Sequence, residues 1–246
     1  MIEKVKFKHL ASIVDGKPDM PAIMTEVFGY KNNWLGKRLL FVRKFKQAHN
    51  LIKKIEKVDP TKIGLQVGCK IKKPSHIDNI TFRAMMEIQA LLNSKKDKPI
   101  IELMAELVCI ACYSENNNGP YDSTKPKFQR FKQRVMNSPM LDILGLYNWI
   151  DNAVEQSRLS WEKRFFSVEV DDPDYAQAGG DRMNQFNVIT TIKALCQDFN
   201  CSYDEAWQMS YAISQTNSYS KATAAHIQDQ MRQLKESAMR RDRGQQ

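Results

Sequence analysis

Five cysteines, four histidines and a run of aspartates are the side chains here whose chemistry reaches beyond packing. Cys109-Ile110-Ala111-Cys112 has the C-x-x-C spacing that structural zinc sites use for one of two ligand pairs. Cys196 and Cys201 would have to supply the other pair. The competing account puts Cys109 in the apolar stripe of a helix, where a thiol packs as a small hydrophobe. That account is preferred and calls for no cofactor. A thioredoxin-like role fits less well, because the pair ends a helix and does not follow a strand.

The remaining candidates are weaker. Asp171, Asp172, Asp174 and Asp181 surround Pro173 and lack the EF-hand spacing with its closing Glu, so they read as a solvated acidic connector. Residues 29–38 (GYKNNWLGKR) superficially match a phosphate-binding loop. The glycines are too far apart, and Arg38 stands where a magnesium-holding Ser or Thr belongs. His9, His49, His76 and His226 are scattered, with no H-E-x-x-H and no nucleophile elbow. The expectation is therefore a protein that is not an enzyme.

The elements carrying these residues are mainly helices. Leu35, Leu39, Val42, Phe45, Ala48, Ile52 and Ile55 recur at three and four residues and predict an amphipathic helix over 34–58. Lys44, Lys53, Lys54 and Lys57 lie among the many basic residues on the rest of its surface. Residues 62–72 alternate apolar and polar and predict a strand, with 5–9 as its nearest partner. Pro21 opens a short helix through Val27. From residue 74 the pattern is helical: 75–92, 100–113, 127–136, 140–166 behind Ser138-Pro139, 183–199, 202–215 and 219–240. Ser202-Tyr203-Asp204-Glu205 fits a capping box. In the last helix Ala224, Ile227, Met231, Leu234 and Ala238 keep a three-four spacing over about two heptads.

The fold class is thus mainly α. A small basic α+β part over 1–98 precedes an all-helical bundle over 99–246, with a connector near 168–182.

Charge follows the same division. Residues 1–100 hold 21 basic and 9 acidic side chains, while 101–246 hold 16 and 19, so the whole +9 excess sits in the first part. A basic head of this kind suits a polyanion or an acidic protein surface. The 246 residues, 42% of them apolar, are enough for a core without disulfides or metals. No stretch is long and apolar enough to span a membrane, and the N-terminal apolar run is too short for a signal peptide. A cytoplasmic protein with reduced thiols is expected.

Two segments carry a resemblance: VCIACYSE at 108–115, and VDDPDYAQAGGDRMNQFNVITTIKALCQDFNCSYDEAWQMSYAIS at 170–214. Their pattern is similar to the baseplate-hub assembly and tail-assembly chaperone proteins of T-even-type myophages. The resemblance covers mainly residues 100–240. It implies a non-enzymatic viral late protein that helps build the hub or tail, acts in the host cytoplasm and is retained in the virion in some members. It implies other tail and baseplate proteins as partners, is compatible with a homo-oligomer and supplies no catalytic residues. Asp171, Asp172, Asp174, Trp207 and Tyr211 are the candidate partner contacts. The alternative is a nucleic-acid-binding protein that uses helix 34–58 through Lys44, Lys53, Lys54 and Lys57.

Overall fold

The computed structural model describes residues 4–14, 18–28, 37–55, 59, 62–94, 99–166 and 187–243, leaving out the side chains of 11, 37–44, 166, 238 and 240–243. The chain is mostly helical. Its contacts form two compact units, Met1–Ile77 with Ala84–Ala153, and Asp78–Arg83 with Val154–Gln246. This grouping is not the division at residue 98 that the element pattern and charge suggest. Charge tracks surfaces, whereas contacts track cores.

The first unit holds α1 (Phe7–Val14), α2 (Met20–Ala22) continuing into a π-helical turn (Ile23–Val27), and α3 (Lys37–Ile55). It also holds α4 (Phe82–Asn93) from Ala84 onward, α5 (Ile100–Asn117), α6 (Pro126–Met136) and α7 (Met140–Phe166) as far as Ala153. Helix α5 is its centre. Leu103, Leu107, Val108, Cys109 and Cys112 are all buried, as expected of a helix apolar nearly all round. Helices α1 and α6 pack against it and against each other. Tyr113, Tyr121, Phe128 and Phe131 close the α5–α6 seam with ring centroids 5.5–6.1 Å apart, mostly edge to face. The helix outruns its predicted end at 113 by four residues and stops where Asn118 turns left-handed at φ 48°.

The expected α+β character of 1–98 is not found. No strand occurs among the described residues, which hold only two isolated bridges. Residue 6 bridges Pro139, and helix α1 begins at the next position. Residues 62–72 are irregular, with a turn at Val67-Gly68 where Gly68 adopts φ 84°. The alternation misleads because its apolar side is not consistently inward: Ile71 is buried, but Leu65 and Val67 are exposed.

Side chains, not a neighbouring strand, take up this segment's backbone groups. Asn148 donates to the Ile63 carbonyl at 2.8 Å, and Arg134 donates to that of Lys70 at 2.9 Å. Asn116 accepts from Lys72 N–H at 3.1 Å and donates to Lys72 carbonyl at 2.8 Å. The segment also crosses α7 so closely that a Cβ on Gly145 would lie 2.4 Å from the Gly64 carbonyl oxygen.

The second unit holds α7 from Val154, α8 (Asn187–Phe199), α9 (Tyr203–Gln208) and α10 (Tyr211–Arg243). Helix α8 packs on α9 and α10. The predicted capping box opens α9: Ser202 Oγ accepts from Glu205 N–H at 3.3 Å, and Glu205 accepts from Ser202 N–H at 2.8 Å. Two predicted boundaries move. The helix expected over 202–215 breaks at Met209-Ser210, and no break follows near 216–218. The cause is backbone pairing: Thr81 and Ser210 bridge, Phe82 N–H donates to Met209 carbonyl at 2.7 Å, and Tyr211 N–H donates to Ile80 carbonyl at 2.8 Å. The same pairing delays the helix predicted to follow Pro74-Ser75 and run through Leu92, so that a 3-10 turn (Ile77–Asn79) stands ahead of α4. Residues 216–218 (Thr-Asn-Ser) contain no Gly or Pro, so nothing there stops α10.

Gly145→Ala sets two effects against each other. Alanine in a helix interior gains about 1 kcal/mol over glycine, while forcing a methyl into occupied space costs about 1–3 kcal/mol. The obstacle at Gly145 is backbone carbonyl, which yields less than a side-chain tip. The expected outcome is net destabilisation, read as a lower urea midpoint with an unchanged m-value. A stabilised variant would mean that residues 62–65 do not hold this path.

Candidate protein-interaction surface

The cysteines assemble no metal centre among the described residues, where no three of His, Cys, Asp and Glu gather in a way that could hold an ion. Cys109 and Cys112 are buried in α5, and burial pushes the Cys109 thiol up to about 12 and Cys112 upward too. Both are inert as nucleophiles at neutral pH. They belong to the first unit, and Cys196 and Cys201 belong to the second.

The aromatic candidates divide. Tyr211 is 6% exposed and stacks on Phe82 at 6.3 Å, so its ring serves the core of the second unit. Trp207 is half-buried, 5.5 Å from Phe82 and 6.4 Å from Tyr203 between ring centroids. Asp171, Asp172 and Asp174 lie outside the described residues, as does Lys57. Lys44 lies in α3, but its side chain is among those not described. Lys53 and Lys54 are exposed on the last turn of α3. A second basic row, Lys127, Arg130 and Arg134, is exposed along α6.

The surface that stands out is on α10. This helix runs for 33 residues, and its later turns expose Ala224, Ile227 (51%), Met231 (52%) and Leu234 (70%). Their three-four spacing forms one stripe along the helix. Beside it Asp229 pairs with Arg232 at 2.6 Å and accepts from Gln233 at 2.8 Å. The spacing is legible in the sequence, but its exposure is not, because a core-facing helix shows the same pattern.

Sequence reasoning also missed two buried polar clusters. Asp78 accepts from Ser157 Oγ and, at 3.4 Å, from Trp161 Nε1, tying the 3-10 turn to α7. His9 is 2% exposed, and its Nδ1 accepts from Lys6 N–H at 3.3 Å. Its Nε2 has no hydrogen-bond partner and lies 3.7 Å from Glu26. Desolvation holds the His9 pKa below its usual 6.5, only partly opposed by Glu26. Hydrogen bonds from Lys6 and then Lys8 hold Glu26 down, from 4.5 to about 2.

No known family model matches the chain, and no curated protein or solved structure matches it either. Among the described residues no helix is long and apolar enough to cross a membrane.

The two titrating groups act in separate windows. As pH falls below 6.5 the unfolded chain takes up a proton that folded His9 refuses, so stability declines. The Glu26 contribution is intact above 4.5 and is lost as pH falls toward 2. His9→Asn offers an amide oxygen to Lys6 N–H but does not titrate. Urea midpoints measured against pH are expected to flatten between 6.5 and 4.5 in this variant and to keep the loss at lower pH. An unchanged slope in the upper window would assign that loss to another group.

Proposed function

We propose that this chain is a non-enzymatic assembly or structural protein of a phage tail or baseplate hub that works through helix-mediated protein contacts. The observation that carries the reading is the exposed apolar stripe of α10. Ile227, Met231 and Leu234 present large side chains to solvent on a helix where the neighbouring Asp229 and Arg232 pair with each other. An amphipathic helix laid against a partner's groove or helix is a recurring recognition mode, and i, i+4, i+7 anchors are its signature. The pattern of residues 108–115 and 170–214 supports the phage assignment by resemblance. Helix α5 keeps most of the first of these segments in the core, and α8 and α9 carry most of the described part of the second.

The alternative, nucleic-acid binding, draws on different residues. The first unit holds 25 basic against 14 acidic side chains. Lys53 and Lys54 on α3 and Lys127 and Arg130 on α6 are exposed. Such contacts would be non-specific and would weaken steeply with salt. Retention on heparin that vanishes on neutralising Lys53 and Lys54 would favour it.

The proposal is tested by affinity capture from infected cells, with Ile227→Asp and Leu234→Asp as variants. Wild-type protein is expected to recover tail or hub proteins. Each variant should keep its helical circular dichroism, because both side chains are exposed, and lose about 2 kcal/mol, or roughly 30-fold, in affinity for the captured partner. Recovery of no tail or hub protein by wild type would overturn the phage reading. Undiminished capture by both variants would remove α10 as the contact surface.

A further inference from the structure

Helix α8 ends in a tight left-handed turn that places two cysteines together. Asn200 adopts φ 48°, and Cys201 N–H donates to the Cys196 carbonyl at 3.2 Å. This is the six-to-one hydrogen bond of a Schellman cap, in which the two bonded residues bring their side chains into contact. Here both are thiols, and the Cys201 thiol donates to the Leu195 carbonyl, next to Cys196 in the chain, at 3.7 Å. The turn is held from both sides. Asp198 pairs with Lys221 of α10 at 2.7 Å and accepts from Asn217 at 2.7 Å, and the Ser202–Glu205 capping box follows at once. Both cysteines are half-exposed, unlike buried Cys109 and Cys112.

We propose that Cys196 and Cys201 are a redox modification site, a dithiol that closes reversibly to a disulfide by exchange with a low-molecular-weight disulfide such as oxidised glutathione. One cysteine thiolate attacks a glutathione sulfur, forming a mixed disulfide and releasing one glutathione thiolate. The second cysteine thiolate then attacks the protein sulfur of that mixed disulfide and releases the other. The two protons lost by the protein end on the two glutathiones. The protein is oxidised by two electrons, and glutathione disulfide is reduced to two thiols. Closure is favoured because the backbone hydrogen bond of the cap already brings the two residues together. It would fix the α8–α9 turn in its left-handed form. The Cys201 thiol is pushed up, by desolvation and then by its sulfur neighbour, which keeps it protonated at neutral pH.

The test treats purified full-length chain with oxidised glutathione, alkylates the remaining thiols and maps tryptic peptides by mass spectrometry. No Lys or Arg stands between the two cysteines, so one peptide carries both. That peptide is expected two hydrogens lighter and unalkylated, and alkylated at both cysteines after dithiothreitol. In Cys196→Ser or Cys201→Ser the surviving cysteine should trap a glutathione adduct. Alkylation of both cysteines in the treated wild type would overturn the proposal. So would a stable glutathione adduct as its end product, a bond from either cysteine to a third, or no adduct in either variant.

Discussion

A helix that starts in a protein interior leaves backbone N–H groups that must find acceptors, and this constraint organises both units. Each meets it in the same way, with two helix starts exchanging a pair of backbone hydrogen bonds. In the first unit Phe7, opening α1, donates to Ser138 carbonyl at 2.9 Å, and Met140, opening α7, donates to Val5 carbonyl at 2.7 Å. In the second, Phe82 opens α4 and Tyr211 opens α10, with Met209 and Ile80 accepting. In each case one residue on either side forms an isolated bridge, and the phenylalanine just beyond it is buried. These contacts join segments more than a hundred residues apart in sequence. They set where four helices begin, and through that which faces turn inward.

The same device shows what could and could not be read from the chain. The 140–166 helix is legible because Ser138-Pro139 marks its start and its apolar residues recur at helical spacing. The Ser202–Glu205 box is legible because both partners are local. The break at Met209-Ser210 is invisible, because its cause lies at Ile80 and Phe82, far away in sequence. The supposed strand at 62–72 fails for a related reason. Alternation signals an extended chain with one buried face, yet Val67 stands fully in solvent, and asparagine and arginine side chains take the place of a partner strand. Periodicity describes a segment's own surface and does not say what accepts its hydrogen bonds.

The candidate site residues were legible to a similar extent. The thiols of the C-x-x-C are silenced by the apolar helix that holds them, as the stripe around Cys109 suggests. Tyr211 looked like a contact residue on a polar helix, but the bridge at Ser210 turns its ring onto Phe82. The stripe on α10 has the opposite history. Its spacing was plain from the sequence, but only the three-dimensional packing separates an outward face from an inward one. A pattern of Ala, Ile, Met and Leu has no label for which side of the molecule it occupies.

Exposure of that stripe has an energetic meaning. Ile227 (51% exposed) and Met231 (52%) forgo about half, and Leu234 (70%) more, of the roughly 1.5–3 kcal/mol that full burial of such a side chain brings. The helix beneath them is rich in polar residues and lacks Gly and Pro throughout, so it does not need their burial to persist locally. A stripe of large apolar side chains left in water on a well-formed helix is costly unless something covers it, and methionine among them suits an adaptable contact. The physical case for a protein partner therefore rests on what the fold leaves unburied, while the deeply buried thiols and aromatic rings explain how the two units hold their own shape.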